Sequence, residues 1–435
     1  MIKVASIRKQ AQNKCKNAKR QHEWGFILTI LAIASVFLGS SVISIDFSFF
    51  SLYPLRFLCF IGLFFMMSRE RWRDSFLLFN SRFIVIFLFL GLISIIWAPD
   101  TTLAIKEFGI LQTGLTLTWL ISKYIYSEDR LEVVFKIWIV GALCINLIGI
   151  WEVWHQEYLI VTEIGTKTAN SIERNGFLAP RAIFANQNNY GFFNALTSLV
   201  LLGRVINAYS PKIIYRLNII SLLLSITILF FSYSRAAIFG FILGVIVFCL
   251  ITIFSNRNYQ GKLVRFTIIG AVIFVIIIIL NESVVDSITR MLTLVIEKND
   301  KSIESGEEGR NVFYLKSIRY FVDNLGVGMG PGSSIFNLNG TPTHNYLLQV
   351  LVEYGPIILL IQMWVVYCAY MRFAKYYTII NNLMPMMLRS TIIVFPLLCF
   401  GPSTIMVEGI FWLWYGLVIS YSSIVIRKYY AYKLS

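Results

Sequence analysis

Apolar positions along this chain do not alternate with polar ones. They run in blocks of roughly fifteen to twenty-five residues separated by polar breaks, at 25–44, 49–67, 83–97, 103–122, 133–154, 184–203, 214–232, 236–254, 264–281, 345–371, 385–401 and 409–426. About twenty apolar residues in helical form cross a bilayer. In lipid a helix satisfies its own backbone hydrogen bonds, which an open strand cannot do, and a membrane barrel would show a period of two. The pattern predicts an all-α polytopic membrane protein of about twelve transmembrane helices, with residues 1–435 forming a single integral membrane domain. Two intervening stretches are long, 155–183 and 282–343. Within the second, Ile288, Met291, Leu292, Val295 and Ile296 recur at helical spacing, which suits an interfacial amphipathic helix. Val312, Leu315, Ile318 and Val322 make another stripe, which predicts a packing face. Arg310, Tyr314, Ser317 and Phe321 fall on the opposite side, open to water or to a ligand.

Composition agrees with the pattern. The chain is 57% hydrophobic and only 14% charged, with a mean hydropathy of +0.70; a soluble protein carries far more charge. The formal charge of +15 works as an orientation signal. With the N-terminus inside, 26 of the 38 basic residues fall in inner segments and ten outside, six of those in the long 282–343 loop. Both termini are then cytoplasmic. The basic residues are scattered over short loops without a motif, which excludes nucleic acid as the partner. The six cysteines stand singly, with no CxxC pair for a zinc site or a disulfide framework. The basic N-terminal segment leads into a full-length apolar block and reads as a retained span.

On the outer side, polar groups gather at four places. "FLAPRAIFANQNNYGFF" carries Arg181, then Asn186, Asn188 and Asn189 at the start of the sixth block; such amides serve equally well as helix caps. "SYSR" is a tight outer turn holding Arg235. Arginine within a span costs about 2.5–3.5 kcal/mol, less near the interface, a cost that an anionic ligand or snorkelling to headgroup phosphates would offset. "GVGMGPGSSIFNLNG" lacks GK[ST] and a preceding strand, so it is not a nucleotide loop; it reads as a flexible connector. Finally "THNYLLQVLVEYGP" places His344, one of three histidines, at the head of the tenth block, with Gly355 and Pro356 interrupting the helix below it. Glu353, nine residues on, is half a turn out of phase with His344 and does not pair with it. Three arginines and a neutral-range titrating group on one side suit a reaction that releases phosphate.

These stretches resemble the O-antigen ligase/O-antigen polymerase superfamily of bacterial membrane proteins. The likeness covers the whole layout, and it is carried by "PRAIFANQNNYG", "SYSRAAIFGFILG", "GRNVFYLKSIRYFVDNLGVGMGPGSS" and "THNYLLQVLVEYGP". The first motif departs from the family's Asn-Pro-Asn by reading Asn186-Gln187-Asn188, which removes the proline's rigidity. The resemblance implies a GT-C-like fold and an inverting, metal-independent glycosyltransferase of the bacterial cytoplasmic (inner) membrane. Its donor would be undecaprenyl-diphosphate-linked oligosaccharide. The catalytic residue would be His344; Arg235, Arg310 and Arg181 would bind the diphosphate; Asn188, Asn345 and Tyr314 would touch substrate. No Asp-x-Asp is present to hold a metal, and neither metal nor cofactor is expected. Membrane lipid, a flippase and a chain-length regulator are the implied partners.

The first reading is polymerisation of repeat units of a surface polysaccharide. A ligase that moves the glycan to a lipid core or a protein uses the same donor and differs only in its acceptor. A transporter of lipid-linked glycan or a small anion is the alternative of another class. It would place its polar groups at mid-membrane on broken helices in repeated halves, whereas here they cluster at the outer rim.

Overall fold

A computed structural model describes residues 22–39, 44–47, 50–67, 79–160, 173–174, 177–207, 211–255, 261, 310–324, 326–338, 340–376, 382–402 and 404–434. Every predicted block except the ninth coincides with a helix. The helices are α1 (His22–Val36), α2 (Pro54–Met67), α3 (Phe79–Ile93) with a 3-10 turn at Ser94–Trp97, α4 (Thr101–Tyr124), α5 (Glu128–His155), α6 (Gln187–Asn207), α7 (Lys212–Phe231) and α8 (Arg235–Ser255). After them come α9 (Arg310–Asp323), α10 (Ser333–Asn337), α11 (Tyr346–Tyr376), α12 (Met384–Leu398) and α13 (Gly409–Leu434). The ninth block, 264–281, and the stripe at 288–296 lie outside the described residues. By length and composition α5, α7, α8, α11 and α13 can each cross a membrane, and α1, α2 and α12 are shorter apolar helices. Large apolar side chains face outward on many of them, Phe64, Phe89, Leu223 and Trp364 included. That is the expected surface of a multi-pass protein whose solvent is lipid.

α13 and α4 form the packed centre. Gly114 lets the ring of Trp412 lie flat on α4, where a Cβ would come within 2.1 Å of it. Glu132 takes both guanidinium nitrogens of Arg204, at 2.7 and 2.9 Å, and Lys428 pairs with Glu128. All four residues lie at the end that the basic bias assigns to the cytoplasm. At the other end two short antiparallel hairpins, β1 (Ile45–Phe47) with β2 (Phe50–Leu52) and β3 (Glu173–Arg174) with β4 (Phe177–Leu178), add local strand structure to an otherwise helical chain. They satisfy loop backbone groups that no helix reaches.

Three expectations change. The stripe on α9 faces outward: Leu315 and Val322 are 68% and 63% exposed, whereas Ser317 on the other face is buried, and α9 packs on α11. Apolar side chains prefer lipid as readily as a protein core, so the face bearing Tyr314 and Ser317 turns to the protein.

The tenth block is not one span. Gly355 adopts φ 82, ψ 172, a left-handed value that glycine accepts without strain, and Pro356 follows. Tyr346 and Gln362 would stand about 24 Å apart on a straight helix, yet Gln362 Nε2 donates to Tyr346 Oη at 2.5 Å. The chain therefore folds back at Gly355. The arm Tyr346–Tyr354 (α11a) returns against the long arm Pro356–Tyr376 (α11b).

The glycine-rich segment is an ordered clasp on this reversal rather than a flexible connector. Pro356 has no N–H for the carbonyl of Val352; Met329 N donates to it at 2.9 Å, and Gly330 N donates to Glu353 O at 2.9 Å. Close approach of two backbones requires glycine. A Cβ on Gly328 would sit 2.5 Å from Tyr354 C and 2.6 Å from Gly355 N.

Candidate functional site

His344 stands at the foot of α11a. Asn345 caps this arm, its Oδ1 accepting from Leu348 N at 3.1 Å, while Thr343 Oγ1 donates to Asn345 O at 3.1 Å. To reach the cap the chain takes φ 54 at His344, a conformation that costs a side-chain-bearing residue about 1–2 kcal/mol. The residue is half-buried. Tyr314 Oη of α9 donates to His344 O at 3.4 Å, and the Phe313 ring lies 6.4 Å from the imidazole. Two residues proposed to touch substrate, Asn345 and Tyr314, thus hold the backbone on either side of the imidazole.

The four motifs meet through one turn. Phe400, just after α12, stands edge-on to Tyr314 with ring centroids 5.9 Å apart. A Cβ on its neighbour Gly401 would lie 3.4 Å from both Ala236 Cβ and Ser234 Oγ, the residues flanking Arg235 at the head of α8. Gly191 of α6 presses on the same turn, so closely that a Cβ there would come 2.6 Å from Ser234 Cβ. A path of contacts therefore runs from the start of α6 through the turn holding Arg235 to Phe400, Tyr314 and His344. Arg235 is half-buried on this path, and Arg310 opens α9 four residues before Tyr314.

Asn186 and Asn189 of the first motif make structural contacts. Asn186 Oδ1 accepts from both Asn188 N and Asn189 N at 3.0 Å, a cap made without the family's proline. Asn189 Nδ2 donates to Glu408 Oε1 at 2.5 Å, joining α6 to the loop before α13. Burial pushes the Glu408 carboxyl up to about 7, against the opposing effect of the Asn189 hydrogen bond. Asn188 itself is half-buried beside the cap.

Arg181 sits apart from the Phe400 turn. Its guanidinium stacks over Tyr158 at 4.1 Å and reaches Ile160 O at 3.5 Å. The carboxylate of Glu152 accepts from the backbone N–H groups of Arg181 and Ala182, both at 2.8 Å. These contacts fasten the segment around Arg181 to the end of α5 and the turn after it.

Sequence reasoning missed a buried polar chain behind α11a. Ser334 Oγ donates to Glu353 Oε1 at 2.5 Å, Gln349 Nε2 donates to the same oxygen at 3.3 Å, and Thr404 Oγ1 donates to Gln349 Oε1 at 3.0 Å. These bonds tie α10, α11a and the loop before α13 together. As the helical phase required, Glu353 turns away from His344. Among the described residues no cluster of His, Cys, Asp or Glu could hold a metal.

Residues 220–363 match the family model described as O-Antigen ligase. The match takes in Arg235, Arg310, Tyr314, His344 and the Gly355 reversal, and leaves out Arg181 and the asparagines. Over 373 residues the chain is 24% identical to "Teichuronic acid biosynthesis protein TuaE" of Bacillus subtilis (strain 168), covering 79% of this chain and 73% of that protein. Together with the motifs, these likenesses support a relationship to the O-antigen ligase/O-antigen polymerase superfamily, carried by residues 220–363 and by a relative named for teichuronic acid biosynthesis.

Proposed function

We propose that this protein polymerises lipid-linked repeat units of a surface polysaccharide at the outer face of a bacterial cytoplasmic membrane, with both termini inside. The observation that carries the reading is the convergence of His344, the α9 helix opened by Arg310 and the Arg235 turn around Phe400 and Gly401. The relative is named for teichuronic acid biosynthesis; polymerisation is the first reading, with transfer to a separate acceptor as its alternative.

In this reading an acceptor sugar hydroxyl attacks the anomeric carbon of the donor. A carbon–oxygen bond forms with inversion as the bond from that carbon to the diphosphate oxygen breaks. His344 takes the hydroxyl proton. The polyprenyl diphosphate leaves with the bonding electrons, and Arg235 and Arg310 stabilise its growing charge through paired N–H donors. A divalent metal has no role in this scheme. Arg181 contributes from the edge, by holding the outer loop in place.

Purified protein given only lipid-linked repeats should yield a ladder of products. Transfer that appears only when a separate lipid or protein acceptor is added would make it a ligase. No transfer in either assay would remove the enzymatic reading. The orientation has its own check: a cysteine placed at exposed Asp323 should be labelled from outside before the inner membrane is breached.

A further inference from the structure

Above the Gly355 reversal lies an open cleft of about 520 Å³, within the usual range for a small-molecule site. It is formed where the 3-10 turn after α3 meets the glycine clasp, and its walls include Trp97, Pro99, Asn324, Val327 and Asn337. Trp97 is 50% exposed, yet its ring is not loose: Nε1 donates to Gly328 O at 2.9 Å. An indole fixed by its edge offers an apolar plate.

The polar groups around the plate are neutral. Asn337 belongs to the wall, although its Nδ2 lies buried beneath the surface, without a hydrogen-bond partner among the described residues. Asn324 spends its Nδ2 on Tyr320 O at 2.9 Å, which leaves the carbonyl oxygen of its amide as an acceptor. No charged side chain lines the cleft among the described residues. A fixed aromatic face beside a neutral amide acceptor fits a sugar ring, whose C–H face is apolar and whose rim carries hydroxyls. It does not suit a phosphate or a lipid tail.

We infer that this cleft is a glycan-binding subsite, separate from the His344 site, that holds sugar residues remote from the bond being made. The inference rests on the proposed glycan transfer for the identity of its ligand. α11a climbs about 14 Å from its foot beside His344 to the reversal clasped by Gly328, so the cleft is reached by an oligosaccharide and not by a single ring. An oligosaccharide leaving the diphosphate site outward along α11a arrives at Trp97.

The probe is free oligosaccharide of one or two repeats, released by mild acid from the host's lipid-linked intermediate. Its binding to the purified full-length protein is read by saturation-transfer NMR, which needs no turnover. Wild type should bind it, with little dependence on salt. Trp97→Ala should weaken binding about tenfold or more. Val327→Trp, which fills the cleft from a 61% exposed position, should do the same even if loss of the Trp97–Gly328 bond unfolds the first variant. No binding by wild type at millimolar probe, or unchanged binding in a folded Val327→Trp protein, overturns the subsite. Kinetics of Val327→Trp identify the glycan held: a raised KM for the lipid-linked donor assigns the cleft to the donor, and a raised KM for the acceptor assigns it to the growing chain. Oligosaccharide binding that survives while His344→Ala transfers normally would sink the proposed mechanism and leave the subsite standing.

Discussion

His344→Gly and His344→Ala, compared side by side, separate a catalytic imidazole from a structural one. The backbone at His344 is left-handed, with φ 54. Alanine keeps the steric cost of about 1–2 kcal/mol that any Cβ carries there. Glycine removes it and gives back about 0.4–1 kcal/mol through the greater freedom of its unfolded chain. The glycine protein should therefore be more stable than the alanine protein by roughly 0.5–1 kcal/mol, seen as a higher thermal midpoint in the same detergent. Transfer should move the other way. General-base catalysis contributes about 10²–10⁴ in rate, so both variants should lose at least about a hundredfold, near 2.7 kcal/mol of barrier. Added imidazole should restore part of the rate in the glycine protein, where the side chain has left a space. A folding defect cannot raise stability and abolish turnover together. Near-normal transfer by His344→Gly would refute the base, and a glycine protein less stable than the alanine one would refute the backbone argument.

Three further outcomes follow from the same geometry. Arg310→Lys should reduce transfer far more than its retained charge suggests, because lysine lacks the planar fork that grips a diphosphate; full turnover in both Arg310→Ala and Arg235→Ala, at matched protein amounts, would remove those residues from the site. Gly328→Ala should destabilise the protein by about 1–3 kcal/mol, since the new Cβ meets Tyr354 and Gly355 backbone atoms at 2.5 and 2.6 Å; an unchanged thermal midpoint would contradict the clasp. Glu408, pushed up to about 7 by burial, keeps in the fold a proton that the unfolded chain releases near 4.5, so it should make stability fall as pH rises between those values, by roughly 3 kcal/mol in all, and level off above. Glu408→Gln should flatten that dependence in denaturation curves taken from pH 4 to 8, and a slope unchanged by the substitution would show that another group carries it.

The helical blocks and the phase of Glu353 were legible in the sequence because each depends on where polar residues interrupt an apolar chain. The facing of α9 was misread for a physical reason. An apolar stripe marks the buried face of a helix only when the alternative is water. Leu315 and Val322 would lose nothing by facing lipid; they are exposed, and the face bearing Ser317 turns inward. The asparagines of the first motif gave an ambiguous signal, since a capping amide and a ligand-binding amide look alike in sequence. Only the Asn186 and Asn189 contacts decide between them.

The reversal at Gly355 left a readable trace that hydrophobic pattern alone does not reveal. Pro356 deprives the carbonyl of Val352 of its helical donor, and in a buried setting that carbonyl must find another. A donor has to approach backbone to backbone, which only a glycine-rich strand can do, and such a strand lies some twenty-five residues upstream at Gly326–Gly332. The consequence reaches the chemistry. At the head of a straight span, His344 would look out among headgroups and water. At the foot of a returning arm it is half-buried, with the Phe313 ring 6.4 Å from the imidazole and the Tyr314 hydroxyl on its carbonyl. A base that must take its proton from a sugar hydroxyl, rather than activate water to hydrolyse the donor, needs that shelter. In the proposed mechanism the glycine that turns the helix would thus help favour a sugar hydroxyl over water as the acceptor.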